Sequence, residues 1–381
     1  MPSQVSVAEL ADDPHPHLRR WRAAGPVHWV AALESYVVVG YDEAVTVLRD
    51  PDTYTVDDVR FSTALVVGRS MLSTDGADHA RYRQPFVAPL RRRAVTAAHG
   101  PAVTEHIADR VGAVAARSGR AELRTMLAGP VAAATMATTL GLDGADDRVV
   151  GALLGWYREI VASVAGVAES RPVTAAGAMA MRSLASALEA SHRRASVLDI
   201  AASTLRGDEV VANAAVLLFG GIETTEAMIL NALWFLLRDG AVAADGVDPD
   251  AAAAVAAIVE ESLRLEPAAA VVDRYTTRPV ALGGVDLPER APVTVSLAGA
   301  NRDPGVFAEP DRFDPARPDG RRHLAFATGP HVCLGMDLAR LETVGTVAEL
   351  VRRLPGLRLA AGSPAPTGLV FRKPDRLDVR W

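Results

Sequence analysis

The sequence is almost without cysteine: Cys333 is the only one among 381 residues. One thiol excludes a framework of intrachain disulfides and suits a reducing cytoplasm. Basic residues are not in excess either, since 40 Lys and Arg stand against 46 Asp and Glu and give a formal net charge of -6. We therefore expect no general attraction to nucleic acid or to an anionic membrane surface.

Long apolar segments are also missing. The longest run, AAVLLFGGI, is far shorter than the roughly 20 residues that cross a bilayer, and the first residues lack the apolar core of a signal peptide. There is no internal repeat, long linker or block of like charge, while hydrophobic residues make up 49% of the chain. These features predict one domain over residues 1–381, cytoplasmic and monomeric by default.

Hydrophobic periodicity predicts a mainly α fold with small β-sheets. Alternating residues over 27–42 predict an early hairpin, and helical patterns dominate from about 79 to 240. The longest predicted helix covers 207–240, would be about 45 Å long, and is apolar nearly all round in its middle. We therefore expect that helix to be buried.

The segment FATGPHVCLG surrounds the one cysteine. A lone cysteine is most often a small buried hydrophobic residue. Here a helical pattern begins at Cys333, and free N–H groups at a helix start stabilise a thiolate. The chain has no second cysteine and no His-Glu-x-x-His pattern. A single thiolate ligand points to a metal whose other positions are filled by a macrocycle, as in haem.

This segment resembles the haem-binding loop of the cytochrome P-450 monooxygenases. The matching positions are Phe326, Gly329, His331, Cys333 and Gly335. Ala327 departs from the pattern, because the family usually has glycine there, and Arg290 is a second such departure. The resemblance covers the chain from about residue 18 onwards. It implies the cytochrome P-450 fold, with a long central helix over haem b and Cys333 as the axial ligand of the iron.

The predicted long helix carries the sequence FGGIETT. Each glycine within a helix costs roughly 1 kcal/mol of stability relative to alanine. Close helix packing or the need for room beside a ligand would explain why two glycines are present. Gly220, Gly221, Glu223 and Thr224 resemble the oxygen-activation motif of the family. The resemblance implies that Glu223 and Thr224 form an acid–alcohol pair that delivers protons.

Two further sets of residues match the family. Glu261 and Arg264, three residues apart, by default form a surface ion pair; the resemblance instead makes them a structural network with Arg312 in EPDRFDPAR. Carboxylates of a buried haem need cations. Each candidate cation is by itself more often a surface residue, but all five match propionate-binding positions: His79, Arg83, Arg274, His323 and His331.

The resemblance implies a monooxygenase that inserts one oxygen atom of dioxygen into a small organic, largely apolar substrate, in bacterial secondary metabolism. Electrons would come from a ferredoxin and a ferredoxin reductase. Oxidative coupling, desaturation and peroxide-driven oxidation are alternatives on the same fold, and a haem-binding or recruitment module without turnover is an alternative of a different class. The predicted substrate pocket comprises Phe219, Ile222, Ala269, Val271, Leu369 and Val370.

Overall fold

Helices make up most of the described chain, and the strands are short. The computed structural model describes residues 5–142, 144–168, 171–191, 196–238 and 252–381. The helices are α1 (Val7–Asp12), α2 (His15–Ala24), α3 (Tyr41–Arg49), α4 (Ser62–Val67), α5 (Gly76–Val87), α6 (Arg92–Ala94), α7 (Gly100–Ala115), α8 (Gly129–Leu140), α9 (Asp147–Ala168), α10 (Ala175–Ala190), α11 (Val197–Ala202), α12 (Gly207–Arg238), α13 (Ala252–Leu265), α14 (Leu297–Ala300) and α15 (Met336–Arg353). The predicted mainly helical fold is confirmed.

The strands form three small sheets. They are β1 (Val27–Val30), β2 (Ser35–Val38), β3 (Tyr54–Thr55), β4 (Arg120–Glu122), β5 (Val271–Thr276), β6 (Val280–Leu282), β7 (Val285–Leu287), β8 (Pro292–Ser296), β9 (Arg358–Leu359) and β10 (Asp378–Arg380). The largest sheet has the order β1-β2-β8-β5-β3, the second β4-β10-β9 and the third β6-β7. In the predicted early hairpin, β1 pairs antiparallel with β2 and Val27 lies opposite Val38.

Helix α12 runs through the largest apolar core. Asp208 and Glu209 lie in its first turn, where acidic side chains are favoured by the helix dipole. Its 32 residues correspond to a length of about 48 Å, and it packs against α8, α13 and α15. The prediction of a buried helix is confirmed as far as Arg238, and residues 239–240 lie outside the described part.

By length and hydropathy alone, the segments 147–167 and 207–238 would suit a membrane span. In the fold, 67% of the most apolar stretch of α12 is buried against other elements. The protein core therefore accounts for the apolar character of α12.

The site lies where α12 faces the segment that leads into α15. Helix α15 packs against α7, α12 and α13, which fixes the segment just before it. The sheet that contains β5 and β8 belongs to a second, smaller apolar cluster with α3. The chain thus brings residues from distant regions, between Met71 and Glu342, to one cavity.

Candidate functional site

The loop that carries Cys333 is a tight, hydrogen-bonded turn. The Cys333 amide donates to the Phe326 carbonyl over 2.8 Å, and the Ala327 amide donates to the Leu324 carbonyl over 2.8 Å. Gly329 has φ 76°, and a Cβ there would collide with the carbonyl oxygen of Leu48. Only glycine fits this position, because it needs both a left-handed backbone and the room of a missing side chain.

The Cys333 thiol lines a cavity and lies just before a helix start. Burial among the surrounding atoms raises the pKa of this thiol, while the Gly335 amide and the charges of Arg83 and Arg340 act in the opposite direction. Helix α15 begins at Met336, three residues later than the sequence pattern indicated, because Leu334 and Gly335 still belong to the turn. The sulfur nevertheless lies beside a free amide, as predicted, because the Gly335 N–H is hydrogen-bonded to it.

The cavity has a volume of about 260 Å³ and is mainly apolar. Its walls come from the cysteine loop (Phe326, Ala327 and 331–335), from α12 and from the start of α15. Phe326 lines the cavity next to the cysteine, and the Arg340 guanidinium lies 4.5 Å from the centre of its ring. Phe326 and Cys333 therefore face the same cavity.

Gly220 and Gly221 of α12 have different surroundings although both line this cavity. A Cβ on Gly220 would meet no atom within 4 Å, whereas a Cβ on Gly221 would collide with the sulfur of Met136 on α8. Room beside the cavity therefore explains the first glycine. Close helix packing explains the second.

Thr224 and Glu223 point in different directions from α12. The Thr224 hydroxyl donates to the Gly220 carbonyl over 2.5 Å and the residue lines the cavity. Such a bond to the preceding turn is typical of threonine within helices. Glu223 is buried, does not line the cavity, and lies 2.6 Å from the Lys373 ammonium.

Four of the five predicted cations lie near one another at one edge of the site. The His79 and His331 rings are 4.3 Å apart, Arg83 and His331 line the cavity, and Arg274 is buried. Burial lowers the pKa of His79 to about 4, and the nearby charges of His331 and Arg83 add to this effect. Its Nε2 atom is buried without a hydrogen-bond partner among the described residues.

Asp75 organises this edge and was not predicted from the sequence. Its carboxylate accepts from His331 Nε2 over 2.7 Å, from the Thr55 hydroxyl over 2.7 Å and from the Val56 amide over 2.8 Å. Burial raises the pKa of Asp75, but these hydrogen bonds outweigh burial and lower it to about 2. Asp75 lies just before α5. An aspartate at the start of a helix is common, so its position in the sequence does not predict its contact with His331, 256 residues further along the chain.

The fifth predicted cation, His323, has a different contact. Its Nε2 lies 3.0 Å from Glu260 Oε2, and Glu260 also accepts two hydrogen bonds from Arg340. Burial raises the pKa of Glu260, and the hydrogen bonds from His323 and Arg340 overcome this and lower it to about 2. His323 does not line the described cavity, since Glu260 on α13 holds its ring.

The predicted Glu–Arg–Arg network is present with a different third arginine. Arg264 forms two hydrogen bonds of 2.8 Å with Glu261, and Arg317 Nε donates to Glu261 over 2.9 Å. Arg312 was predicted for this place, and that prediction is wrong. Its side chain is 62% exposed and pairs with Glu309, because the turn of the loop directs only the Arg312 carbonyl to Arg264.

Of the six predicted pocket residues, only Ala269 lines the described cavity. Ile222 is fully buried in the core, and Phe219 packs edge-on against Phe371 at 5.3 Å between ring centres. Val271 and Leu369 line a second, much smaller cavity, and Val370 is exposed.

The arrangement fits a flat, metal-bearing macrocycle with carboxylate side chains. The Cys333 thiol, the open face of Gly220 and the cation Arg83 line the same cavity. Near Arg83, the His79 Nε2 atom is buried without a partner among the described residues and is available to an anion. Among the described residues there is no group of three or more His, Cys, Asp or Glu side chains that would hold a metal ion by themselves. One thiolate ligand and a macrocycle remain the arrangement that this donor set supports.

Comparisons with known proteins agree with this geometry. Residues 253–355 match the family model described as Cytochrome P450. The cytochrome P450 monooxygenase PikC of Streptomyces venezuelae is 34% identical over 98% of this chain and 92% of the relative. The cyclomarin C epoxidase CymV of Salinispora arenicola is 30% identical over 86% of this chain and 85% of the relative.

Solved structures show the same fold. The crystal structure of CalO2 superposes with a TM-score of 0.86 at 27% identity and covers 98% of this chain and 97% of that protein. The match extends over almost the whole length of both chains, so it includes both the helical part and the sheets.

Proposed function

The chain belongs to the cytochrome P450 family, and from this premise we propose that Cys333 is the axial ligand of its haem and that Glu223 and Thr224 supply protons to the cavity. The family holds haem b through a cysteine thiolate, and this chain has no other cysteine. The protein is a cytochrome P450 monooxygenase. The observation that carries the assignment is that Cys333, from the loop before α15, and Thr224, from α12, both line one mainly apolar cavity.

The haem, when bound, supplies the redox chemistry that activates dioxygen, and its thiolate ligand favours cleavage of the O–O bond. The residues of this chain bind and orient it. Arg83, His79, His331 and Arg274 would hold the propionates, because buried carboxylates need charged or hydrogen-bonding partners. The Gly335 amide stabilises the sulfur, and Phe326 restricts access of water to it.

Proton delivery is the proposed task of the acid–alcohol pair. The Thr224 hydroxyl lines the cavity and is oriented by its bond to Gly220. Glu223 is the preceding residue of α12, does not line the cavity and is nearly out of contact with solvent. In an apolar cavity with little water, a positioned acid and a hydroxyl supply protons that solvent would otherwise provide.

The substrate is proposed to be a small organic molecule with a largely apolar body. Leucine, valine, methionine and alanine side chains form most of the cavity wall, for example Leu72, Val216 and Met228. Named relatives include PikC and a cyclomarin C epoxidase, which supports a role in bacterial secondary metabolism. Coupling, desaturation and peroxide-driven oxidation use the same frame and are distinguished by product analysis.

A ferredoxin and its reductase are proposed as the electron donors, in the cytoplasm. Five exposed arginines would attract an acidic partner: Arg91, Arg92 and Arg93, which follow the cavity-lining Leu90, and Arg321 and Arg322, which precede the cysteine loop in the sequence. Arg81 and Arg340 do not extend this surface freely, because they pair with Glu209 and Glu260. Reversal of the charges of Arg91–93 would slow reduction of the haem by ferredoxin, and an unchanged rate would contradict this docking surface.

The function is tested by the carbon monoxide difference spectrum of the dithionite-reduced protein. We expect a strongly red-shifted Soret band that is lost in Cys333→Ala. A Soret band at the position of a histidine-ligated haem, unchanged in the variant, would contradict the assignment of Cys333. Incorporation of ¹⁸O from dioxygen into a substrate found by spin-state titration would then identify the reaction.

A further inference from the structure

The one lysine of the chain lies beside the proposed proton donor. Of the 40 Lys and Arg residues, only Lys373 is lysine. Its side chain is 9% exposed, and its Nζ atom lies 2.6 Å from Glu223 Oε1 and 2.7 Å from Glu226 Oε1. Every other cationic side chain of the molecule is an arginine or a histidine. Lysine at this position is therefore unusual for this chain.

The backbone of Lys373 is fixed, so only its side chain can move. Lys373 and Thr367 exchange two backbone hydrogen bonds of 3.0 and 3.1 Å. The preceding residue, Arg372, is buried, donates to Glu266 over 2.9 Å, and its carbonyl accepts from Asn231 of α12 over 2.9 Å. The hairpin is thus attached to the same helix that carries Glu223.

The two glutamates differ in their remaining partners. Glu226 also accepts from Arg124 Nε over 2.8 Å, and its carboxylate occupies the space left by the missing side chain of Gly129. For Glu223, Lys373 is the one cation within 4.0 Å in the described part of the chain. If Glu223 turns away, the ammonium keeps Glu226, and neither charge is left buried alone.

We propose that Lys373 is a positioning residue that holds the Glu223 carboxylate outside the cavity and releases it towards Thr224 when Glu223 takes up a proton, with Glu226 as the alternative partner of the lysine. The proposal rests on the proposed role of Glu223 and Thr224. The cycle is balanced: a proton from water converts the carboxylate to a carboxyl, which loses its attraction to the ammonium. Once the carboxyl has given up that proton on the cavity side, the carboxylate returns to Lys373, which keeps its own three protons throughout.

The chemistry of lysine suits this task better than that of arginine. An ammonium is a compact charge with three donors on a flexible stem, so it can pass between two acceptors. A guanidinium is a planar fork that binds carboxylates through two parallel hydrogen bonds and would hold them together. Arginine at this position would therefore keep Glu223 outside the cavity.

The contact is tested first without any turnover. Protein grown with lysine labelled by ¹³C at the ε carbon gives a single side-chain methylene signal. We expect the chemical shift of this signal to change in Glu223→Gln and in Glu226→Gln. It should not change in the control Glu209→Gln, because Glu209, on the same helix as Glu223, is a buried carboxylate that pairs with Arg81 of α5. A signal that is identical in wild type and Glu223→Gln would overturn the proposal. Because this measurement does not use the haem, it is independent of the carbon monoxide test of the function.

The consequence for proton delivery is tested with NADPH consumption, supported by a surrogate ferredoxin and its reductase. Reduction of dioxygen to hydrogen peroxide or to water consumes protons, so the rate reports on proton delivery with or without a substrate. Lys373→Arg should lower the rate about tenfold and increase the solvent deuterium isotope effect, whereas Lys373→Met should decrease that isotope effect. Neither substitution should change the rate further in a Glu223→Gln background. Equal losses in both backgrounds would mean that Lys373 only stabilises the fold, and the proposal would fail.

Discussion

At the scale of single residues, four residues other than glycine in the described part of the chain have a positive φ, which favours glycine, and Ala327 and Arg290 are two of them. Ala327 has φ 55° and Arg290 has φ 60°. A left-handed conformation costs an L-residue about 1–2 kcal/mol. Both are the positions where the resembled family usually has glycine, so each departure in the sequence coincides with backbone strain. For Ala327 the strain lies in the loop that holds Cys333.

Ala327→Gly should stabilise the protein. Relief of the strained backbone is worth about 1–2 kcal/mol, and the greater freedom of glycine in the unfolded chain removes about 0.4–1 kcal/mol of that gain. The net increase in the free energy of unfolding, measured by urea denaturation, is therefore up to about 1.6 kcal/mol. The control Ala325→Gly, in the same loop but without positive φ, should destabilise the protein. A loss in both variants would contradict the strain at Ala327.

Arg317→Ala should destabilise the protein by about 2–3 kcal/mol, because it removes a charge-assisted hydrogen bond from the buried Glu261. Arg312→Ala should cost less than about 1 kcal/mol, since Arg312 makes an exposed ion pair. Urea denaturation of both variants compares the two arginines directly. Equal losses would show that Arg312 supports the network through more than its backbone carbonyl.

At the scale of elements, α12 combines a packing position and an open position in adjacent residues. Gly221 lets α12 approach Met136 of α8, whereas Gly220 leaves space in the cavity. The same residue type therefore serves two purposes one residue apart. Helix periodicity explains this, because consecutive residues are about 100° apart around the axis and face different neighbours.

Gly220→Ala and Gly221→Ala should have opposite effects on stability. The first adds a methyl group in open space and gains helix propensity, so unfolding should cost up to about 1 kcal/mol more. The second forces the buried Met136 to move and should cost about 1–3 kcal/mol. Thermal denaturation of the two variants measures this. In a Met136→Ala background, Gly221→Ala should cost much less than in wild type, which is the rescue expected if Met136 is the contact that excludes the side chain. Lack of rescue would mean that another contact excludes the side chain.

At the scale of the whole molecule, one buried carboxylate joins both ends of the chain. Glu266, just after α13, contacts His15 of α2, Arg302 after α14 and Arg372 in the C-terminal hairpin. Burial raises the pKa of Glu266, but the contacts with His15, Arg372 and Arg302 prevail and lower it to about 2. The charge therefore supports packing between segments that lie far apart in the sequence.

The contribution of Glu266 to stability should depend on pH in a defined direction. Its pKa in the folded protein is below the ordinary value of 4.5, so its support is complete above pH 4.5 and is lost as the pH falls towards 2. Glu266→Gln should cost about 3 kcal/mol at pH 7, and the difference from wild type should shrink in that acid range. Urea denaturation at several pH values measures it, with the exposed Glu289→Gln as control. A difference that is constant with pH would contradict the linkage.

The sequence by itself determined the features that depend on short-range geometry. The spacing around Cys333 identified a loop that the structure forms with Gly329 in the left-handed region, and the apolar pattern of 207–238 identified the central helix. Both depend on backbone conformation and burial over a few turns, which residue type and spacing specify locally. The pair Glu261 and Arg264 was found for the same reason, since three residues on a helix place both side chains on one face.

Only the tertiary structure decided which distant side chains meet. Arg312 and Arg317 are five residues apart in an irregular loop. The path of that loop places Arg317 against Glu261 and Arg312 against the exposed Glu309. Asp75 meets His331, Glu260 meets His323, and Lys373 meets Glu223, each from a different segment. A charge selects its partner by the direction and depth at which the backbone presents it, and those are fixed by the packing of all the elements together.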